Sequence, residues 1–478
     1  MTCFMPKPGA TVEASQRAEP EKVLLGGRLA GLSLPRQVAV LAVWPLLEQV
    51  LAFCVGMTDL LIAGRMAEGT ARVAVLDAMG LGGYVAWFFN ILQAAVATGV
   101  MALVSRATGA GDQTLARRGL GQGVWLGMVA GLISFLVLQA GAHLLIGWIG
   151  LSEAASAEAA RYLRVFALSG PFSGVLFAIN AALRGSGDTR TPFVGMVVVN
   201  GVNMGMSWVL VFASAPWGGR GVEGIALGTV LGWIAGLAVV VAMLGKGGDG
   251  LAWTRASLRF CRETMVRILR VGAPQSLEIA GMWGIHAYGI RVISRLPVEG
   301  ALGAHILAIR VESMSFLPGF AIATAAAALA GQYLGAGSRE TAVRAVRLCW
   351  KVAVMIMGSM GLLFAFGGKQ LVSVIAPDSA MHVELAAPLL VVCALSQPFF
   401  ATCIVLKTSM RGAGATPLVI RYAFGSMIFF RIGLLAAFSH FGEITLVWVW
   451  IILSLDIVTQ AFIFSRLHFG GKWLDAKV

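Results

Sequence analysis

The chain has 478 residues, of which 58% are hydrophobic and only 12% charged, and its mean hydropathy is +0.83. A soluble globular domain carries about 25% charged residues, so this composition excludes a water-soluble fold of such length. The net charge of +13 is read as Lys and Arg crowded on one side of a membrane, not as a nucleic-acid footprint.

Residues 1–36 form a mixed polar segment with Lys7, Arg17, Lys22, Arg28 and Arg36 and no small-residue cleavage site. They are expected to be a cytoplasmic tail, with the first apolar stretch kept as an anchor. A bilayer crossing takes about 20 mostly apolar residues. Twelve stretches meet that standard: 37–61, 73–101, 120–146, 162–183, 192–213, 222–244, 267–290, 302–330, 346–366, 385–407, 416–438 and 444–466. The first carries Pro45, Glu48 and Asp59. The second carries Asp77 and leads into SRATGAGDQTLARR (105–118), with Gly109 and Gly111. The fourth leads into RGSGDTRTP (184–192), with Gly185 and Gly187. The polar segment 246–266 is the expected cytoplasmic linker between halves. Beyond it the seventh stretch carries Pro274, Gln275, Glu278 and His286. The eighth carries His305 and Glu312 and leads into GQYLGAGSRETAVR (331–344), with Gly335 and Gly337. The tenth contains no Asp or Glu and leads into RGAGATP (411–417), with Gly412 and Gly414. The twelfth carries Asp456, and residues 467–478 are a short cytoplasmic tail.

Of the 36 Lys and Arg residues, 25 fall on the side of the N-terminus and 6 on the opposite side. That bias puts both termini in the cytoplasm. Three ordered matches relate the halves: the GAG pair, the RGxG pair, and, more weakly, Pro45 and Glu48 with Pro274 and Glu278. The expected fold is an all-α integral membrane protein with twelve transmembrane helices in two pseudo-symmetric six-helix lobes, 37–245 and 267–466. Related halves around a central site are a recurring transporter plan. The motif glycines permit positive φ and a tight helix exit. Each motif alone reads as an ordinary turn; repeated in register, the glycines read as conformational hinges.

Ionisable groups at membrane depth are costly and gather at bundle interiors or water-filled cavities. The acidic set is Glu48, Asp59, Asp77, Glu278, Glu312 and Asp456, with Gln275 as a further cavity candidate. Structural readings stand beside the functional ones. Asp59 could be a solvated turn residue, Glu278 could pair with Arg310 or Arg431, and Asp77 and Asp456 could cap or join helices. His286 and His305 are expected to make packing hydrogen bonds. The six cysteines lie far apart without metal-ligand spacing. The chain has no GxxxxGK[ST] loop, HExxH or Ser/His/Asp pattern, so neither an ATP-driven pump nor an enzyme is proposed.

The stretches GMTDLLIAGRM (56–66), ALVSRATGAGD (102–112), RGSGDTRTP, LGAHILAIRVESMSFLPGFAIATAAAALAGQYLGAG (302–337) and RGAGATP together resemble the multidrug and toxic compound extrusion family of cation-coupled efflux transporters. The resemblance runs over residues 37–466. It implies two six-helix lobes in a V around a central cavity that opens alternately to either side. It implies export of small organic, amphipathic or cationic compounds in exchange for H⁺ or Na⁺, by a monomer in the bacterial inner membrane, with no other cofactor. The family's acidic residue near the end of the first helix falls on Asp59, which would also hold Na⁺ if sodium is the coupling ion. Glu278 is the best match for a carboxylate that some members place in the seventh helix. The family's acid in helix ten has no counterpart here. A flippase for a lipid-linked precursor, on a related fold, and an ion channel are the alternatives.

Overall fold

The computed structural model describes residues 25, 29–66, 69–149, 152–214, 216–245, 251–252, 254–375, 380–441 and 444–476. Most of the N-terminal tail, part of the central linker and the side chains of Cys54 and Asp77 lie outside the described set. The described chain is built from α1 (Leu34–Arg65), α2 (Gly69–Gly109), α3 (Gln113–Ile149), α4 (Glu153–Ala167), α5 (Gly170–Ser186), α6 (Arg190–Phe212), α7 (Gly221–Gly245), α8 (Arg262–Ser294), α9 (Ala301–Gly335), α10 (Arg339–Ile375), α11 (Ala380–Gly412), α12 (Thr416–Met427), α13 (Leu435–Phe441) and α14 (Leu446–Phe469). A π-helical segment, Ile428–Leu434, joins α12 to α13. Apolar sequence in lipid must close its backbone hydrogen bonds within each segment, which helices do.

Among the described residues, eight helices are long and apolar enough to cross a membrane, or nine if the bent pair α4–α5 is counted as one span. The chain is therefore an all-α, multi-pass membrane protein. Helix α8 is not among the eight, because Gln275, Glu278, His286 and Arg291 interrupt its apolar run.

Two stretches differ from the continuous helices expected. The fourth is broken into α4 and α5 at an angle of 51°. The cause is local: Pro171 stands in the first turn of α5, where it lacks the N–H that a continuous helix would need. The eleventh contains the π-helical segment, whose backbone bonds span one extra residue. Both tails are partly built into the bundle. Leu25 and Leu29 pack with α1, α9 and α10, and Trp473 is fully buried against α11, α12 and α14.

Long helices pack along small residues. In α9 the run Ala321–Ala323 and Ala325–Ala330 is almost wholly buried, so neighbouring backbones approach closely. Helix α2 packs against both α8 and α9, and α1 packs against α9. These contacts tie the beginning of the chain to its second half and set the site.

Candidate functional site

The ends of α2 and α9 meet in a reciprocal contact. A Cβ on Gly109 would stand 1.8 Å from the carbonyl oxygen of Gln332, and one on Gly335 would stand 2.1 Å from that of Arg106. Arg106 and Gln332 occupy the same place in the two repeats, as do Gly109 and Gly335. Their side chains complete the exchange. Arg106 Nη2 donates to the Ala413 carbonyl at 2.8 Å, and Gln332 Nε2 donates to the Gly185 carbonyl at 2.8 Å. Each GAG end is thus latched to the RGxG turn of the other half.

The motif glycines divide by task. Gly111, Gly187, Gly337 and Gly414 have positive φ, between 73° and 96°, and turn the chain out of a helix. Gly109, Gly185, Gly335 and Gly412 instead allow close approach, each meeting a neighbouring carbonyl oxygen within 2.9 Å of an added Cβ.

Two largely enclosed ion pairs lie behind these turns, with Glu278 the one fully buried member. Arg184 on α5 donates to both oxygens of Glu48 on α1 at 2.7 Å. Arg411 on α11 donates to Glu278 Oε1 on α8 at 2.5 Å. The structural alternative for Glu278, a pair with Arg310 or Arg431, is thus replaced by a pair with Arg411. Arg411 closes the tenth helix at the depth of Glu278, whereas Arg431 is committed elsewhere. Glu278 Oε2 and Gln275 Oε1, one helical turn away, are both buried without a hydrogen-bond partner.

Asp59, in the last two turns of α1, is half-buried, and its Oδ1 is enclosed without a partner. Tyr162 on α4 lies within electrostatic reach of it. The sequence reading, which named Gln275 but no asparagine, missed a set of buried amides in the same half. Asn203 Nδ2 on α6 donates to Thr229 Oγ1 on α7 at 2.8 Å, while Asn203 Oδ1, Asn200 Nδ2 and Asn180 Oδ1 are buried and unpartnered. The available signal was Asn200 and Asn203, three apart and so on one helix face, in an otherwise apolar stretch.

In the second half, Asp456 is fully buried within α14 and, as one expectation had it, joins helices rather than capping one. It accepts from Arg431 Nε at 2.5 Å, Ser426 Oγ at 2.6 Å and Gln460 Nε2 at 2.8 Å. Lys407 extends this network by donating to Gln460 Oε1 at 3.1 Å. Glu312 accepts from Gln397 at 3.5 Å, and Ser315 donates to Gln397 at 2.6 Å. His305 makes the expected packing bond, its Nδ1 accepting from Trp450 Nε1 at 3.1 Å. His286, His305 and Arg431 line a cavity of about 20 Å³, large enough for one water. Among the described residues no cluster of three His, Cys, Asp or Glu side chains is arranged to hold a metal.

The profile of the MatE family matches residues 46–209 and 274–437, one copy in each half. The chain belongs to the multidrug and toxic compound extrusion (MATE) family. It is 26% identical to the Thermotoga maritima "Probable multidrug resistance protein NorM", over 89% of this chain and 90% of that one. It is 24% identical to the Bacillus subtilis "Probable multidrug resistance protein YoeA", over 88% of this chain and 90% of that one. Its fold is that of an outward-facing multidrug resistance MATE family transporter of the MOP superfamily, with a TM-score of 0.85 at 19% identity over 97% of this chain and 100% of that one. A MOP superfamily transporter from Pyrococcus furiosus, described by a reversed polarity of its binding pocket, superposes with a TM-score of 0.84 at 18% identity, over 97% of this chain and 100% of that one.

Proposed function

We propose that this MATE protein is a secondary active antiporter. It exports small organic compounds, amphipathic or cationic, in exchange for H⁺ or Na⁺ by alternating access, and is not an enzyme. The observation that carries this reading is the family match in both halves, on a chain whose halves are latched by equivalent residues. The interior arginines Arg184, Arg411 and Arg431 are each matched by a carboxylate. That balance favours export over flipping of an anionic lipid-linked precursor.

The finer architecture is twelve spans in two lobes, 37–245 and 267–466. The chain works as a monomer in the bacterial inner membrane with both termini cytoplasmic, so the latched ends of α2 and α9 form the cytoplasmic gate. The eight motif glycines are its hinges. Asp59 is the first coupling residue. A carboxylate oxygen held from water without a partner gains from an arriving cation, and the amide and hydroxyl oxygens of Asn180, Asn203 and Thr229 are hard donors suited to Na⁺ or a hydrated proton. Glu278 is the second coupling residue, with Glu48, Asp77, Gln275 and Glu312 as cavity groups. The deciding measurement is substrate uptake into sealed proteoliposomes with the pH and Na⁺ gradients imposed one at a time. Uptake driven by either gradient is expected; uptake indifferent to both would sink the antiport reading.

A further inference from the structure

The described residues 254–261, which lead from the first half into α8, are held against the bundle. Residues 254–259 fold into a tight turn in which Ser257 N–H donates to Thr254 Oγ1 at 3.1 Å and Ser257 Oγ donates to the Thr254 carbonyl at 2.7 Å. The turn is docked on α3. The fully buried Gln122 donates to the Arg259 and Ser257 carbonyls at 2.9 and 3.2 Å, and its Oε1 accepts from Cys261 N–H at 3.0 Å. Trp125 Nε1 donates to the Leu258 carbonyl at 2.9 Å. A Cβ on Gly121 would stand 1.9 Å from the Ser257 carbonyl oxygen, so the turn lies flush against the α3 backbone.

Its depth follows from Trp125, which lies within about two turns of the start of the apolar stretch 120–146. Tryptophan at a span's edge marks the membrane–water interface. The turn it holds lies at that level, and its outward face has the chemistry of an interfacial element. Phe260 is 73% exposed and Leu258 is 38% exposed. Arg255, Arg259 and Arg262 are exposed around them. Arg118 on α3 reaches the same patch: with bonds from Thr264 as the larger cause, its charge helps draw the Cys261 thiol below its usual range. Glu263 is the only acid between 251 and 270. Apolar side chains interleaved with cations at headgroup depth fit an anionic bilayer surface.

We propose that the docked turn 254–262 is a binding site for anionic phospholipid, with Arg255, Arg259 and Arg262 on the headgroup phosphate and Phe260 among the upper acyl carbons. Because the turn is fixed to α3 and runs directly into α8, lipid bound there anchors the first half where the second begins.

The test uses the full-length protein in detergent with equal amounts of phosphatidylglycerol and phosphatidylcholine, and native mass spectrometry reads which lipid is retained. Wild type is expected to retain phosphatidylglycerol preferentially. The R255Q/R259Q/R262Q variant is expected to lose at least about tenfold of that preference, since one arginine near an anionic surface contributes roughly fivefold. The R339Q/R344Q/R347Q variant removes the same charge from α10 and is expected to keep the preference. Equal loss in both variants, or no loss in the first, overturns the proposal. A nitroxide at position 260 in a single-cysteine background gives an independent reading in vesicles containing phosphatidylglycerol. It is expected to collide with oxygen more than with a water-soluble nickel chelate. The opposite ratio places Phe260 in water and also overturns the proposal.

Discussion

Arg411 on α11 reaches Glu278 on α8 at 2.5 Å, and the two side chains are 14% and 7% exposed. One repeat earlier, Arg184 reaches Glu48 at 2.7 Å, with 20% and 17% exposure. The same device stands twice, drier in the second half. Removing one partner of a buried pair leaves the other charge uncompensated and costs about 3–5 kcal/mol. Glu278→Gln and Arg411→Gln are each expected to lower the thermal unfolding midpoint more than Glu48→Gln does. The double variant E278Q/R411Q is expected to recover part of the loss. Strictly additive losses would show that the two residues do not act as a pair.

Asp59 carries the opposite expectation. Its Oδ1 has no bond to lose, so Asp59→Asn is expected to change stability by less than about 1 kcal/mol. The same substitution removes the titrating charge and is expected to abolish gradient-driven uptake into inside-out vesicles. Uptake at the wild-type rate, with the same dependence on imposed gradients, would return Asp59 to a structural role.

The glycines of one GAG motif are expected to fail in different ways. Gly109→Ala puts a methyl group 1.8 Å from the Gln332 carbonyl oxygen, so the ends of α2 and α9 cannot close. Trapping with that end open is expected, seen as raised cysteine reactivity at position 332 and lost transport. Gly111→Ala meets nothing within 4 Å but must hold φ near +73°, a strain of about 1–2 kcal/mol. It is expected to lower stability while leaving reactivity at 332 unchanged. If both variants leave position 332 protected, the contact is not a gate.

Topology is open to direct labelling. Cysteines placed at 154 and 256 are expected to react with an impermeant maleimide from opposite sides in intact cells, 154 from outside and 256 only after lysis. Labelling of both from one side would remove the proposed arrangement.

The helices were legible because lipid requires long apolar runs, and the repeat was legible because short Gly-rich turns keep their spacing. The partners were not. Glu278 lies 133 residues from Arg411, and no local pattern links them. Arg310 and Arg431 looked suitable only because each is a cation inside an apolar stretch. The 51° break before Pro171 was also hidden, since an apolar count does not distinguish a straight span from a bent one. The orphaned amides Asn180, Asn200 and Asn203 were overlooked because no acid stands in their apolar stretches to draw attention to them, as Glu278 does to Gln275. Their unfilled bonding capacity emerges only once the neighbouring helices are packed.

The π-helical segment Ile428–Leu434 has a further consequence. An extra residue in a regular α-helix would turn all that follows by about 100° around the axis, and the π-turn absorbs it in a wider loop of backbone. Arg431 sits inside that insertion and meets Asp456, so the pair is tuned by a residue count and not only by residue identity. Deleting a single residue of the segment would let it close into ordinary α-helix and remove the widened turn from which Arg431 reaches Asp456, even if Arg431 itself were kept. At this position the protein should tolerate replacement better than shortening, an asymmetry that a codon-deletion library would expose and an alanine scan would miss.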